Sequence, residues 1–488
     1  MIWTIARREL ADQLTSMRFL VVAFLVVGLT PLAVYVGTRD YINRLQDFNR
    51  LTAERQTLIS RQPGKVITGS DDLFTPENDL LVLRVLRPPQ RLSALVKGLD
   101  GILPQYWDYS SSGSTEGPPP TQPRRLVDAL GQLDLEFLVR VVLGLLAVLL
   151  ASDAVAGEKE TGTLRMALSQ PVSRSAFICG KLIGGMITIL APLISAFLVA
   201  LLSCQILGLD VARVSTLARI GLLALAGCIY LLGFYALGLA ISASFAGQKT
   251  ALVVLLVIWV CSVLAAPPVS SLLARAITPV PATQTLEARK RALADDLERE
   301  GQEAASRVYR EITGQPEDSV SSREYTRNKA TIEPKIAPVL VEYINRRRRG
   351  IDELDRDAAR RASRQNGIAH AIMILSPAAL FANAASDLSG TGDMERLYWY
   401  QAIQRHEAEL DQVLFEDPPV ITFRSRFGSV TVTRRMPPTI SDLPVFVPPR
   451  TDTATAMDAA LPSLGLLGTY AGLFTLGAFY AFSRYDVR

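Results

Sequence analysis

Residues 153–181 read DAVAGEKETGTLRMALSQPVSRSAFICGK. This polar, charged stretch sits between two strongly apolar runs, 135–154 and 182–209. The spacing predicts a short amphipathic helix bounded by Gly162 and Pro171. Leu164, Met166, Ala167 and Leu168 are expected to pack inward. Glu158, Glu160, Arg165 and Arg174 are expected to face water. A polar turn of this length between two long apolar runs is the pattern of a membrane hairpin.

Working outward, six runs carry the roughly 20 apolar residues that a helix needs to cross a bilayer: 19–37, 135–154, 182–209, 217–241, 251–266 and 461–483. The fifth is short and is expected to stop at Pro267-Pro268. The first is longer than a signal-peptide core of about 7–15 residues and follows a long polar flank, which favours an uncleaved helix. The composition agrees with a membrane protein. The 488 residues are 49% hydrophobic and only 20% charged, with mean hydropathy +0.23. Disorder is excluded by the apolar content. A net charge of +4 gives no support to a nucleic-acid partner. Four cysteines exclude a disulfide scaffold, and two histidines argue against a His-rich metal site.

Orientation follows from the basic residues of short loops. Arg7, Arg8, Arg18, Lys159, Arg165, Arg174, Lys181, Lys249, Arg484 and Arg488 fall on one side, against Arg213 and nearby Arg219 on the other. The first side is therefore read as cytoplasmic. The amphipathic segment 1–18, the loop 155–181 and the tail 484–488 then lie inside, with both termini. Two long loops, 38–134 and 267–460, lie outside. Neither looks complete alone, so they are expected to fold together into one mixed α/β, helix-rich domain.

The second long loop predicts helices over Thr285–Thr313 and Ser322–Gln365, where Leu286, Leu293, Leu297, Ile336, Leu340, Ile344, Ile351 and Leu354 recur at helical spacing. The run Arg346–Arg349 fits anionic headgroups, an acidic substrate, or a solvated helix end partly neutralised by Asp352, Glu353, Asp355 and Asp357. Ser376 is an N-cap with Pro377 in the first turn of a further helix, which ends near Ser389-Gly390-Thr391-Gly392. Another helix is expected over Met394–Phe415. Val420–Arg435 alternates as a β-hairpin centred on Gly428-Ser429. Extended connectors are expected at Gly117–Pro120 and Met436–Arg450. Arg140, inside the second apolar run, either faces a substrate path or snorkels to the headgroups. Gly180-x-x-x-Gly184 and Gly468-x-x-x-Gly472 match the small-residue spacing of helix contacts in membranes.

The segment 158–181 closely resembles the permease subunits of ABC-2 type transporters. In that family a Glu-x-Glu-x-Gly-Thr-Leu stretch precedes Leu-Ser-x-Pro-Val-Ser-Arg, and Gly-Lys opens the third helix. The matching positions are Glu158, Glu160, Gly162, Thr163, Leu164, Leu168, Ser169, Pro171, Val172, Ser173, Arg174, Gly180 and Lys181. Ile5–Arg18 resembles the family's elbow helix, with Ala6, Leu10, Leu14 and Met17 as its apolar stripe. Arg87-Pro88-Pro89, Leu375-Ser376-Pro377 and Ser389–Gly392 resemble motifs of a subgroup with an enlarged extracytoplasmic domain.

The resemblance implies a mainly α membrane protein with six transmembrane helices of the ABC-2 exporter type, in the plasma (inner) membrane. It implies a coupling helix formed by Glu158, Glu160, Gly162, Thr163, Leu164, Arg165, Leu168, Ser169, Pro171 and Arg174, docking on a separate ABC ATPase present in two copies. A second permease subunit, identical or homologous, would complete the path, and membrane lipid would surround it. The chain has no Gly-x-x-x-x-Gly-Lys-Ser/Thr loop, no Ser-His-Asp arrangement and no His-Glu-x-x-His. It is therefore expected to be no enzyme, with no catalytic residues and no cofactor of its own; ATP and Mg would sit on the partner. Two functions remain open. One is export driven by the partner's ATP hydrolysis. The other is mechanical transmission through the membrane to the outside domain, which would act on an extracytoplasmic protein.

Overall fold

The computed structural model describes residues 2–61, 83–110, 113–116, 133–315, 322–414, 420–425, 428–433, 439, 442–449 and 452–484. The connector at Gly117–Pro120 lies outside them, as do Pro437 and Pro438.

Helix α1 (Ile2–Leu14) ends at a short break, where Ser16 Oγ accepts from the Phe19 amide at 3.2 Å and starts α2 (Met17–Arg61). Helix α2 is 45 residues long, about 67 Å at 1.5 Å per residue. It does not stop where its apolar run stops. Tyr41, Ile42, Leu45 and Phe48 keep the helical spacing, and the first three pack on the main core. Strands β1 (Val85–Leu86), β2 (Tyr106–Ser110) and β3 (Gly113–Glu116) follow as an antiparallel sheet in that order, with Val85 opposite Trp107 and Asp108 opposite Thr115. The two-residue β1 and the polar β3 are too short to show in a hydropathy pattern.

Helix α3 begins as Leu135–Phe137, passes through a π-helical turn at Leu138–Leu143 and continues as Gly144–Asp153. Asp134 caps it, accepting from the Phe137 amide at 2.8 Å. Next come α4 (Ala156–Glu160), α5 (Thr163–Leu168), α6 (Arg174–Ile206) and α7 (Val214–Ser244). Helix α8 (Gln248–Ile277) also carries a π-helical turn, at Cys261–Ala265. Pro267-Pro268 do not end it. They follow directly on the π-turn, at the start of the Ala266–Ile277 stretch of a continuous helix.

Helices α9 (Thr283–Thr313) and α10 (Ser322–Met373) form an antiparallel hairpin. Lys290 pairs with Asp355 at 2.7 Å and Arg346 with Glu300 at 3.3 Å. Ala305, Tyr309, Ile332, Ile336, Ala337 and Leu340 bury a small core between them. Arg346–Arg349 is therefore mid-helix rather than a helix end: Arg346 meets Glu300, and Arg348 meets Asp411 and Tyr109. Helix α11 (Pro377–Ser389) has Ser376 as its N-cap and closes on Gly390 at φ 70°. Helix α12 (Asp393–Leu414) follows.

Strands β4 (Val420–Ser425) and β5 (Gly428–Thr433) form the hairpin, but Gly428 opens β5 opposite Ser425 instead of centring the turn. This register sets Phe423 opposite Val430 and Ile421 opposite Val432. Helix α13 (Thr453–Ser483) completes the chain.

Among the described residues, six helices are long and apolar enough to cross a membrane: α2, the 135–160 unit, α6, α7, α8 and α13. They divide the rest into a short-loop side, holding α1, α4 and α5, and a long-loop side, holding both sheets and α9–α12. The core of the bundle centres on α7, whose Tyr230, Phe234 and Tyr235 are fully buried.

Candidate functional site

On the short-loop side, residues 153–174, which lead from the 135–160 unit into α6, are bonded to α2, α6, α7, α8 and α13. Ser242 of α7 accepts from the amides of Val155 (3.1 Å) and Ala156 (2.9 Å) and donates to the Ser152 carbonyl (2.9 Å), which starts α4. Lys159 donates to the carbonyls of Ala243 and Phe245, at the carbonyl-rich end of α7. Glu160 accepts from the Gln248 amide at 3.1 Å, at the first turn of α8. Asp153 pairs with Arg18 of α2 at 3.1 Å and accepts from Gln248 at 3.2 Å. Arg174 donates to the Ser483 carbonyl of α13 at 2.5 Å.

The centre is Lys181 on α6. Its ammonium sits 2.5 Å from Glu9 of α1 and 2.5 Å from Glu158 of α4. Gln13 donates to Glu9 at 2.6 Å and to the Tyr235 hydroxyl at 3.1 Å. Burial raises the Glu9 carboxyl above its ordinary range, and Lys181 opposes that shift. Helix α1 reaches this depth because Gly180 and Gly184 present no side chain to it. A Cβ at Gly180 would lie 2.7 Å from Ile5 Cβ, and one at Gly184 would lie 2.6 Å from the Ala6 carbonyl oxygen. Gly468 and Gly472, by contrast, have nothing within 4 Å of an added Cβ.

Gly162, at φ +75°, turns the chain between α4 and α5, a conformation costly for any residue with a Cβ. Only Leu164 of α5 is fully buried; Ala167 and Leu168 are half-buried beside it. Met166 points away, 73% exposed. A six-residue helix resting on a bundle buries positions i, i+3 and i+4, so 164 and 166 cannot both face in. Thr163, Arg165, Ser169 and Pro171 are exposed. Glu158 faces Lys181 rather than water.

Helix α1 turns a second face, besides its apolar stripe, to the bundle. Its buried residues are Ala6, Glu9 and Gln13, while Leu14 and Met17 are exposed. Apolar periodicity passes over a buried polar pair. The available signal was Glu9 and Gln13 at i, i+4, in line with Ala6 and close in chemistry to an unpaired Lys181.

The long-loop side is joined to the bundle by other means. Asp100 is fully buried and holds both Arg44 of α2 and Arg87. Thr391 donates to the Val96 carbonyl at 3.2 Å, and its carbonyl accepts from the Leu99 amide at 2.8 Å. Arg87-Pro88-Pro89 and Ser389–Gly392 thus converge on one segment, 87–100. Phe381 of α11 stacks on Tyr230 of α7 at 4.9 Å. Trp399 of α12 stacks between Trp107 of β2 and Phe446 of the 442–449 connector, at 6.1 and 5.7 Å. Arg140 pairs with Glu136 at 2.5 Å instead of snorkelling alone.

The family model for the ABC-2 family transporter protein matches residues 3–487. The chain belongs to that family. A curated relative, the probable ABC transporter permease protein NosY of Pseudomonas aeruginosa, is 38% identical over 122 residues. That stretch is 24% of this chain and 44% of the relative, so the chain spans less than half of the relative it matches. The chain is a multi-pass membrane subunit of the ABC transporter permease class, a kind of subunit that is normally not itself the ATPase.

Proposed function

We propose that this subunit couples ATP hydrolysis on a separate ABC ATPase to export, with 158–174 as the docking element and the short-loop side in the cytoplasm of an inner-membrane complex. The observation that carries the reading is that α4 is bonded directly to three helices: Glu158 to Lys181 of α6, Lys159 to the end of α7 and Glu160 to the start of α8. A push on α4 is delivered to these three through hydrogen bonds and an ion pair, while Asp153 and Arg174, flanking the segment, tie α3 to α2 and α6 to α13. Exposed Met166, Arg165, Thr163, Ser169 and Pro171 remain for a partner to grip. Two ATPase copies and a second permease subunit would complete the assembly, ATP and Mg residing on the ATPase. Closure of the ATPases on ATP would shift the bundle between two states, because ATP binds one of them better.

The test is co-purification in mild detergent with an ATPase assay. Arg165→Glu and Met166→Asp, both at exposed positions of α5, are expected to uncouple hydrolysis while the bundle stays folded. Unchanged ATPase association and activity in both would sink the docking assignment.

A second reading is favoured by one observation. Helix α2 runs unbroken from the short-loop side into the long-loop side, where Asp100 clamps it. A stiff rod of this kind suits mechanical transmission to an extracytoplasmic protein. Stimulation of ATPase activity by a small substrate supports export; stimulation by a soluble extracytoplasmic protein supports transmission.

A further inference from the structure

The bundle holds two π-helical turns, and each has given up one carbonyl in the same way. In a regular helix the Gly144 amide bonds to the Arg140 carbonyl, four residues back. Here it bonds instead to Val139, and the Arg140 carbonyl accepts from the Tyr230 hydroxyl of α7 at 2.8 Å. In α8 the Ala266 amide should bond to the Ser262 carbonyl. It bonds to Cys261, and the Ser262 carbonyl accepts from the Ser376 hydroxyl at 2.8 Å. Arg140 Nη1 lies 3.5 Å from the Val263 carbonyl, so the two turns adjoin. Pro267 withholds the amide that Val263 would otherwise receive.

In each turn, therefore, a hydroxyl from another element occupies the place of a backbone amide. In α3, returning to the regular register exchanges one hydrogen bond for another; in α8 it also sets the Pro267 ring against the Val263 carbonyl four residues back, so there Pro267 and Ser376 favour the π register together. The geometric change is large. One residue of register turns the rest of the helix by about 100° and moves it by about 1.5 Å. The hydroxyls are well placed to choose between registers. Tyr230 stacks on Phe381 of α11, and Ser376 is the N-cap of that same helix. Helix α3, with the first turn near its start, leads at Asp153 directly into the docking segment.

We propose that the turns at 138–143 and 261–265 are a matched hinge, held in the π register by Tyr230 and Ser376, through which movement of α3 and α8 is passed to α11 and the long-loop side. The direction of drive rests on the function proposed above; the hinge itself does not.

The experiment places spin labels at Val253 and Leu272, exposed positions flanking the α8 turn, in the full chain with its ATPase in lipid nanodiscs. A non-hydrolysable ATP analogue is expected to change the distance distribution. Ser376→Ala and Tyr230→Phe are expected to move the nucleotide-free distribution toward the nucleotide-bound one. Ser376→Thr, which keeps both hydroxyl and cap, is expected to retain the wild-type distribution. Superimposable nucleotide-free distributions for wild type, Ser376→Ala and Tyr230→Phe would overturn the hinge. A shift in Ser376→Ala without one in Tyr230→Phe would overturn the pairing of the turns. Failure of an ATPase to associate counts against the proposed function alone, since the nucleotide-free comparison still decides the hinge.

Discussion

The two sides of the bundle hold their attached elements with different chemistry. On the short-loop side the joints are charges and backbone carbonyls at helix ends: Lys181 between two carboxylates, Lys159 on the end of α7, Arg174 on the end of α13. On the long-loop side the joints are stacked rings and one sealed arginine–aspartate cluster. Directional polar bonds at helix ends can be exchanged for others as a helix moves. Stacked rings and a fully buried charge cluster give way only at high cost. The difference suggests a side that receives motion and a side that moves as one body.

The severest test of that contrast is Asp100→Asn. It leaves Arg44 and Arg87 buried around a neutral amide, and a guanidinium cannot shed its charge. Breaking a buried pair costs about 3–5 kcal/mol, and this site belongs at the upper end. Thermal unfolding should fall accordingly, with protease sensitivity appearing first in 84–116. A change below 1 kcal/mol would mean that the cluster does not hold the long-loop side.

Lys181→Met should cost less, about 3 kcal/mol, because the Glu9 carboxyl, already raised by burial, can take a proton when the lysine is gone. The loss should shrink at lower pH, where Glu9 neutralises more readily. An equal loss at pH 5 and pH 8 would contradict this account of the joint.

Phe446→Ala removes the outer ring of the Trp107–Trp399–Phe446 stack, an effect of about 1–2 kcal/mol for a half-buried aromatic. A cycle with Trp399→Ala should show positive coupling. Additive effects would show that the connector is not pinned by its ring.

The last test is a pH slope, set by Asp387. Its carboxyl is pushed up to about 7, chiefly by burial and further by Asp393. The folded state then holds this proton more tightly than the unfolded chain, whose aspartates titrate near 3.9. Asp387 therefore makes stability decline as pH rises from about 4 to about 7, and level off above. Asp387→Asn should flatten that slope. An unchanged slope would show that the carboxyl is solvated.

Much of the membrane part was legible in the sequence, since twenty apolar residues in a row have few other uses. The segment 158–181 stood out through the density of its matches to the family's motif. Its surroundings were not legible. Glu9 and Gln13 were passed over because an apolar stripe was sought on α1, whereas its buried face carries a polar pair matched to Lys181. Met166 was placed inward because composition was read without the 100° step. Pro267-Pro268 were taken for a stop because the π-turn that accommodates them leaves no mark in hydropathy.

The sequence by itself determined that the chain is a helical membrane protein, which runs are apolar enough to cross, and which loop carries the family's motif. The first two follow from transfer free energies and local propensities, which act residue by residue; the third rests on the resemblance of residues 158–181 to the family. Only the tertiary structure decided that Lys181 is shared by Glu9 and Glu158, that Asp100 gathers Arg44 and Arg87, and that two hydroxyls hold two π-turns. Each of these depends on groups distant in sequence meeting within hydrogen-bond range, and no local pattern encodes that meeting.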